Sequence, residues 1–271
     1  MLSWVDGQPA DRLSLADRGL AYGDGLFETM ALRADRIALF ERHLARLRDG
    51  CQRLALSFDE TRLRSELAAF CRQLQSGVVK LLLTRGDGLR GYAAPVDVPS
   101  RHILLGSPLP TYPAKNREQG IELFPCRTRL AEQSLLAGLK HLNRLEQVLA
   151  RNEWQDARYA EGLVRDQAGR PVEGVFSNLF WVRDGELCTP ALTRCGVAGV
   201  MRAELLERAA ASGITCKVAD FALDDLLGAD EVFVCNSLYG IWPVRELQDS
   251  VWPAGSLTRK LQAIIRSLLD S

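Results

Sequence analysis

Lys140 is the residue whose type and position suggest covalent chemistry. It precedes an apolar run in which Leu142, Leu145 and Leu149 recur at helical spacing. This spacing predicts a helix that begins at Lys140 and extends to about Trp154. A lysine that a packed helix holds and partly desolvates can lose its proton and form a Schiff base with a carbonyl group. The alternative is a solvated lysine at a helix start, which is the more common situation for this residue type.

A candidate anion site lies where Gly196, Val197, Ala198 and Gly199 precede a segment with helical periodicity. A helix start flanked by glycines presents unpaired backbone N–H groups and the positive end of the helix dipole. Arg46 could add a charge-assisted hydrogen bond to the same anion. Taken alone, the glycine-rich segment fits an ordinary loop equally well.

Two further positions carry polar groups in places where binding groups are expected. Glu173 lies in a segment that is otherwise apolar or small, so its carboxylate needs a cationic or N–H partner. Asn236 and Ser237 follow a predicted strand directly, which is where open sheets place ligand-binding residues. Considered by themselves, Asn236 and Ser237 fit a plain turn better.

Gly86, Gly88 and Gly91 follow a predicted strand with the spacing of a dinucleotide-binding motif. That motif requires a helix to begin at the glycines and receive the pyrophosphate. The residues that follow contain two prolines and no helical period, so the sequence excludes this interpretation. It predicts a glycine-rich hairpin or a mobile loop that carries Arg90 and Tyr92.

The composition indicates a globular protein with a substantial core and no nucleic-acid partner. Hydrophobic residues make up 47% of the 271 residues, and charged residues make up 25%. Lys and Arg number 34, as do Asp and Glu, so the basic excess expected of a nucleic-acid-binding protein is missing. No apolar run approaches about 18–20 residues, and the N-terminus lacks a signal-peptide pattern, so neither a membrane span nor a signal peptide is expected.

The cysteines and histidines predict neither disulfides nor a metal site. The seven cysteines are odd in number and widely spaced, which is typical of reduced thiols in a cytoplasmic protein. His43, His102 and His141 show no metal-ligand spacing with one another or with the cysteines.

The predicted elements form two α+β halves. Helices are predicted at about 41–56, 59–74, 140–154, 200–211, 223–227 and 257–269, and a glycine-rich loop at 17–25. Strands are predicted at about 26–32, 37–40, 78–84, 101–105, 121–124, 161–165, 171–182 with a bend, and 231–235. The proline-dense segment 108–113 suggests a small N-terminal α/β domain over 1–110, a linker over 111–120 and a larger C-terminal domain over 121–271.

In combination, these pieces resemble the fold-type-IV pyridoxal-phosphate enzymes, which include branched-chain aminotransferases, D-amino-acid aminotransferases and aminodeoxychorismate lyases. The matching segments are residues 22–28, 43–47, 140, 173–174, 177–180, 196–197, 230–233 and 236–237, in the order and spacing of that family. The resemblance implies a two-domain α+β fold of the D-amino-acid aminotransferase type. Residues 138–147 and the loop 85–92 look like the lyase version.

Carried over position by position, the resemblance implies pyridoxal 5'-phosphate (PLP) as the cofactor. Lys140 would be its covalent anchor and the catalytic base, and Glu173 would pair with the pyridine nitrogen. The other implied cofactor-binding residues are Arg46, Gly196, Val197, Ala198, Asn236 and Ser237. The implied substrate-binding residues are Phe27, Arg90, Tyr92 and Arg144. Arg144 is a plausible counterpart of a position where some aminotransferases of the family carry tyrosine, a departure that favours the lyase.

The resemblance implies a reaction of folate biosynthesis in a cytoplasmic homodimer. A lyase of this kind converts 4-amino-4-deoxychorismate to 4-aminobenzoate and pyruvate, without an acceptor. Two alternatives remain open. One is an aminotransferase of the same fold that acts on branched-chain or D-amino acids and needs a 2-oxo acid. The other is a non-catalytic PLP carrier.

Overall fold

The computed structural model describes residues 2–95 and 98–270, which form two compact units. The first unit comprises the chain up to Pro110 together with Leu139–Asn143. The second unit comprises Thr111–Gly138 and Arg144–Asp270. The short segment that contains Lys140 therefore packs with the N-terminal unit, although the residues on either side of it belong to the other.

The N-terminal unit is built on a six-stranded antiparallel sheet with three helices. Its strands are β1 (Leu2–Val5), β2 (Gln8–Pro9), β3 (Gly25–Arg33), β4 (Arg36–Ile37), β5 (Gly77–Thr84) and β6 (Arg101–Ser107), in the order β2-β1-β6-β5-β3-β4. Its helices are α1 (Arg18–Tyr22), α2 (Phe40–Arg53) and α3 (Glu60–Leu74).

Alternation along β3 and helical spacing along α2 build one side of this unit. Leu26, Glu28 and Met30 all project from one face of β3 and are buried. Helix α2 packs against β3 and buries Leu44 and Leu47. Because Glu28 occupies a position where the pattern would place an apolar residue, its carboxylate must find partners inside the unit.

The predicted loop at 17–25 is wrong in part, because it contains helix α1. The side chain of Asp17 caps this helix by accepting a 2.8 Å hydrogen bond from the N–H of Gly19. Gly23 ends the helix with a left-handed backbone, φ +64°. A helix of about one turn is too short to show helical periodicity in the sequence. The glycines of this segment therefore predicted a loop.

The C-terminal unit contains nine strands and five helices among the described residues. The strands are β7 (Ile121–Leu130), β8 (Tyr159–Asp166), β9 (Pro171–Gly174), β10 (Asn178–Arg183), β11 (Glu186–Pro190), β12 (Cys216–Ala219), β13 (Glu231–Asn236), β14 (Gly240–Leu247) and β15 (Ser250–Val251). The helices are α4 (Ala114–Glu118), α5 (Leu145–Arg151), α6 (Val200–Ala211), α7 (Leu223–Leu227) and α8 (Ser256–Asp270).

Six of these strands close into a barrel. The sheet runs β12-β11-β10-β13-β14-β7-β8-β9, and β9 pairs back onto β10 at the register Glu173↔Asn178. The pairs β7–β8, β7–β14 and β11–β12 are parallel, and the other pairs in the sheet are antiparallel. Buried side chains such as Trp181 and Val234 fill the core of this unit. Barrel closure places Glu173 and Asn178 directly opposite each other.

The helix predicted to begin at Lys140 instead begins at Leu145. The preceding segment is extended and pairs with the start of β3: Phe27 N–H donates to the Lys140 carbonyl at 2.9 Å, and Leu142 N–H donates to the Gly25 carbonyl at 3.0 Å. These bonds take the backbone groups that a helix would need. The apolar residues of α5 also do not face the core, since Leu145, Val148 and Leu149 are exposed.

The α+β composition predicted for both halves is confirmed. The linker at 111–120 stays a prediction, and α4 lies within it. All seven cysteines are free thiols, and six are buried. Within residues 2–95 and 98–270, no helix combines the length and apolarity needed to cross a membrane, and no cluster of His, Cys, Asp and Glu is arranged to hold a metal ion.

Candidate active site

Lys140 differs from the other lysines of the chain in its environment. The chain has five lysines. Four of them are exposed: Lys80, Lys115, Lys217 and Lys260. Lys140 is half-buried, and its Nζ lies 4.2 Å from the centroid of the Phe27 ring. The structure therefore brings together the predicted anchor and the predicted wall residue, in a contact of about 0.5–2 kcal/mol for a charged amine.

Gly138, two residues before Lys140, is fixed to the predicted anion-binding turn. Its N–H donates to the Gly196 carbonyl at 2.9 Å, and the N–H of Ala198 donates to the Gly138 carbonyl at 3.0 Å. Gly196 has φ +84°, and a Cβ there would lie within 2.9 Å of the side chains of Leu192 and Val172. Only glycine fits this close approach.

Two side chains from the barrel closure fix the same turn. The N–H of Val197 donates to Glu173 Oε2 at 2.8 Å, and Glu173 is buried. Asn178 Nδ2 donates to the Val197 carbonyl at 2.8 Å, while Asn178 Oδ1 accepts from the N–H of Gly199 at 3.1 Å. Gly199 is the N-cap of α6 and, as a glycine, offers no side chain to bond the N–H groups of the first turn. The first turn of α6 thus retains the N–H groups and dipole of an anion site.

Arg46, the predicted cationic ligand, lies in a buried cluster of the N-terminal unit. Its guanidinium donates to both oxygens of Glu28, through Nε at 2.8 Å and through Nη2. The Nδ1 of His43 lies 2.6 Å from Glu28 Oε2. Sequence reasoning missed Glu28, although an acid in the buried register of an alternating strand was the available signal.

Arg90 and Tyr92 lie exposed on the predicted loop, which Arg18 tethers at its base. Arg18 is buried and donates to the carbonyls of Gly91, Tyr92 and Ala93 at 3.0–3.3 Å. Sequence reasoning did not identify this arginine. The tether restrains the backbone beside Arg90 and leaves the Tyr92 side chain 88% exposed.

Arg144 belongs to the C-terminal unit and precedes α5 directly. Burial lowers the pKa of its guanidinium, and the charges of Glu173 and Glu146 act in the opposite direction. The charge of Glu173, whose carboxylate accepts from the Val197 N–H, thus favours the charged form of the Arg144 guanidinium.

Asn236 shapes the turn after β13. Its Oδ1 accepts from the N–H groups of Leu238 and Tyr239 at 3.0 and 3.1 Å, and its Nδ2 donates to the Phe176 carbonyl. Ser237 sits within this turn and is half-buried. The cofactor-binding roles of Asn236 and Ser237 stay predictions.

A second buried carboxylate, Glu161, contacts the residues that connect β9 to β10. It accepts from the N–H groups of Gly162, Val175 and Phe176 and from the Ser177 hydroxyl, at 2.7–3.3 Å. Burial raises the pKa of Glu161 to about 7, although these hydrogen bonds act to lower it. Sequence reasoning missed Glu161 because it read that position only as the start of a strand.

Comparison with known proteins places this geometry in a family. The model of the amino-transferase class IV family matches residues 25–247. An aminodeoxychorismate lyase from Vibrio harveyi is 38% identical over 266 residues, covering 96% of this chain and 97% of that protein. A D-alanine aminotransferase from Listeria monocytogenes is 29% identical and covers 92% of this chain and 88% of that protein.

Solved structures agree with these sequence matches. The crystal structure of 4-amino-4-deoxychorismate lyase from Pseudomonas aeruginosa matches with a TM-score of 0.98 and 63% identity, over 100% of both chains. The branched-chain aminotransferase of Escherichia coli matches with a TM-score of 0.85 and 25% identity, over 99% of this chain and 94% of that one. The predicted fold type and the resemblance stated from the sequence are confirmed. The chain therefore belongs to the class IV aminotransferase family.

Proposed function

We propose that this protein is a PLP-dependent lyase that converts 4-amino-4-deoxychorismate to 4-aminobenzoate and pyruvate. The observation that carries the proposal is end-to-end similarity to two proteins named as this lyase, at 38% and 63% identity. The aminotransferases compared above share 29% and 25% identity with the chain. Folate biosynthesis is the corresponding pathway.

The chain's own residues fit PLP, which carries an aldehyde, a basic ring nitrogen and a phosphate. Lys140 supplies the amine, and it is half-buried whereas the other four lysines of the described chain are exposed. Glu173 supplies a buried carboxylate for the ring nitrogen. The first turn of α6, which the turn of Gly196, Val197 and Ala198 leads into, would supply N–H groups for the phosphate. Arg46, Asn236 and Ser237 complete the proposed cofactor-binding set.

The proposed chemistry divides between the cofactor and two side chains. When bound, PLP withdraws electrons from the amine-bearing carbon of the substrate and lowers the barrier to removing its proton. Glu173, held by the Val197 N–H, would place a negative charge at the ring nitrogen. The Lys140 amine would take the proton from the amine-bearing carbon as a general base.

The remaining bond changes balance without an external oxidant or acceptor. As Lys140 took the proton, the carbon–oxygen bond to the enolpyruvyl group would break with its electron pair on oxygen. The departing enolate would take up one proton at its methylene carbon and become pyruvate, which balances the proton that was removed. The carbocycle becomes aromatic and leaves as 4-aminobenzoate. The substrate carries two carboxylates at neutral pH, so Arg90 and Arg144 are assigned to them. Phe27 and Tyr92 are assigned to contacts with its ring.

We also propose that the enzyme is a cytoplasmic homodimer. The exposed residues Leu145, Val148 and Leu149 lie on one face of α5, and a second copy of the chain would bury them. The seven free cysteines fit a reducing compartment.

The decisive experiment mixes the purified protein with aminodeoxychorismate in the absence of any 2-oxo acid. The lyase produces pyruvate and 4-aminobenzoate in equal amounts. Parallel reactions offer D-alanine, L-alanine or a branched-chain amino acid together with 2-oxoglutarate. Turnover only in these reactions would identify an aminotransferase. A PLP absorbance band without turnover of any substrate would identify a carrier.

A further inference from the structure

Glu28, His43 and Arg46 form a buried three-residue cluster between β3 and α2, called here the Glu28 cluster. The side chain of Glu28 is 2% exposed, that of His43 is 1% exposed and that of Arg46 is 14% exposed. His43 and Arg46 are three residues apart on α2 and therefore project from the same face of the helix. The Glu28 carboxylate accepts hydrogen bonds from both His43 and Arg46.

The charges within the Glu28 cluster are fixed by its contacts. Burial acts to raise the pKa of Glu28, but Arg46 and His43 outweigh it and lower that pKa to about 2. Burial lowers the pKa of His43, against the opposing influence of Glu28. Glu28 is thus ionised and His43 is neutral near pH 7. Because a carboxylate only accepts, the Nδ1 of His43 carries the proton and donates it to Oε2.

These contacts fix the orientation of the Arg46 guanidinium. Nε and Nη2 lie along one edge of the planar group, and Glu28 binds both. The plane of the guanidinium and the direction of Nη1 follow from this two-point contact. An arginine that folding has already ordered loses less side-chain entropy when it binds an anion.

The charge of Lys140 influences the pKa of His43 in the Glu28 cluster. The Lys140 ammonium is among the charges that lower the pKa of His43, along with Arg46. The proposed covalent anchor and the proposed phosphate ligand are therefore electrostatic neighbours of a single imidazole within the N-terminal unit.

We infer that Glu28 is a positioning residue for the cofactor phosphate, acting by holding the guanidinium of Arg46 in the orientation that binds it. The inference rests on the proposed function, because it assumes that Arg46 binds the phosphate of PLP. It assigns Glu28 no contact with substrate or cofactor. A competing possibility is that Glu28 is only a counter-ion, whose negative charge weakens the attraction of Arg46 for a phosphate.

The two possibilities predict opposite changes in PLP affinity when Glu28 is replaced by glutamine. If Glu28 orients Arg46, Glu28→Gln weakens PLP binding because the two-point contact is lost. If Glu28 only neutralises Arg46, the same change strengthens PLP binding because a repulsive charge is removed. Pyridoxal, which lacks the phosphate, separates either effect from a general loss of structure.

The test measures dissociation constants of PLP and pyridoxal by absorbance titration of the full-length protein after its cofactor has been removed. Four forms are compared: wild type, Glu28→Gln, Arg46→Lys and the double variant. We expect Glu28→Gln to weaken PLP binding by about tenfold, the size of one well-placed charge-assisted contact, and to leave pyridoxal binding unchanged. In the Arg46→Lys background, Glu28→Gln should change PLP affinity by less than about twofold, since the geometry it protects is already lost.

Glu231→Gln is the matched control. Glu231 is also buried, and it accepts hydrogen bonds from the N–H groups of Leu257 and Thr258 at the start of α8. This variant should lower the melting temperature without a selective loss of PLP over pyridoxal. If Glu28→Gln does not fold, the test rests on Arg46→Lys. This variant keeps the positive charge but cannot make the two-point contact of a guanidinium. A PLP affinity equal to that of wild type would then overturn the inference.

Unchanged or tighter PLP binding by Glu28→Gln overturns the inference, as does an equal loss of PLP and pyridoxal. Failure of the proposed function gives a different result, because wild type itself would then bind no PLP or would leave aminodeoxychorismate unconverted.

Discussion

Glu173 and Val197 are joined by a 2.8 Å hydrogen bond from the backbone N–H of Val197 to Oε2 of the carboxylate. This bond connects the end of β9 to the turn that opens α6. The acid proposed for the ring nitrogen and the turn proposed for the phosphate are therefore fixed to each other. If the proposed roles hold, the placement of the cofactor and the charge at its ring nitrogen both depend on this contact.

Replacing Glu173 by glutamine should separate these two roles. The glutamine Oε1 can still accept from the Val197 N–H, so PLP should remain bound. The negative charge at the ring nitrogen is lost, so kcat for pyruvate release should fall about a hundredfold or more, the usual cost of removing one electrostatic stabiliser. Steady-state kinetics and PLP content measure the two effects separately.

The control for this change is Glu153→Gln. Glu153 lies in the same unit and accepts from the N–H groups of Arg127 and Thr128, at 2.7 Å each. The kcat of this variant should stay within about twofold of wild type, since Glu153 bonds the backbone of β7 and has no proposed role toward cofactor or substrate, so its loss should act mainly on stability. A Glu173→Gln enzyme as active as wild type would remove Glu173 from the mechanism.

Lys140→Ala should abolish both the borohydride-reducible lysine adduct and the lyase activity. No other lysine among the five is shielded from solvent in the same way. Lys80 is the stringent control, because its Nζ also lies near the Phe27 ring, at 5.6 Å from the centroid, yet it is exposed. Lys80→Ala should keep the adduct and the activity. Peptide mapping of a reduced adduct at any lysine other than Lys140 would contradict the assignment.

Asn178 should stabilise the turn at Val197–Gly199, which is proposed to bind the phosphate. Asn178→Ala removes its hydrogen bonds to Val197 and Gly199 and should lower the free energy of unfolding by about 1–3 kcal/mol. We also expect weaker PLP binding, measured by titration, because the turn loses its support from β10.

Gly199→Ala tests the same contact by crowding. A Cβ at Gly199 would lie 2.0 Å from Asn178 Oδ1, so this single change should also weaken PLP binding. The double variant Asn178→Ala/Gly199→Ala removes the clash, and its loss should be smaller than the two single losses together. Additive losses would show that the two residues act independently.

The sequence predicted those elements whose signals are local. Helices α6 and α7 have the predicted bounds, since glycines and an unbroken apolar period mark them. Strand β14 was missed, because Pro243 lies inside it and a proline argues against a strand. The helix predicted from Lys140 begins instead at Leu145, because the backbone of Lys140 and Leu142 pairs with the start of β3. The apolar residues Leu145, Val148 and Leu149 of this helix form an exposed face. Periodicity reports which residues share a face, and it does not report what that face contacts.

The candidate site divides in the same way. The sequence singled out Glu173 as a candidate because it is an acid in an otherwise apolar segment, and its role stays a prediction. Glu28 and Asn178 belong to segments that the sequence matched to the family, but the sequence did not show their hydrogen-bond partners. Glu28 bonds Arg46, 18 residues further along the chain, and Asn178 bonds Gly199, 21 residues further along. Only the pairing of β9 with β10 and of β3 with α2 brings these partners together.

Glu161 should make the folded protein less stable as the pH rises toward 7. Its folded pKa of about 7 exceeds the ordinary value of 4.5, so between these values the folded state binds more protons than the unfolded state. The stability it contributes is fully present below about pH 4.5 and is lost as the pH rises through 7, by about 3 kcal/mol in all.

Urea unfolding of wild type and Glu161→Gln at pH values from 5 to 8 isolates this carboxyl from the other titrating groups. The variant cannot ionise, so wild type should lose stability relative to it as the pH increases. A stability difference that does not vary between pH 5 and 8 would mean that Glu161 keeps one ionisation state throughout this range.

The exposed face of α5 should be an interface between two copies of the chain. Leu145, Val148 and Leu149 recur at i, i+3 and i+4, the spacing of a helix face that packs, and all three are exposed in the single chain. A charge placed there must be desolvated on association, so Leu149→Glu should shift the protein from dimer to monomer in sedimentation measurements. Val251→Glu is the control, because Val251 is an isolated exposed residue on β15 and should leave the dimer intact. A Leu149→Glu protein that remains dimeric would assign the interface to another surface, and a monomeric wild type would exclude the homodimer.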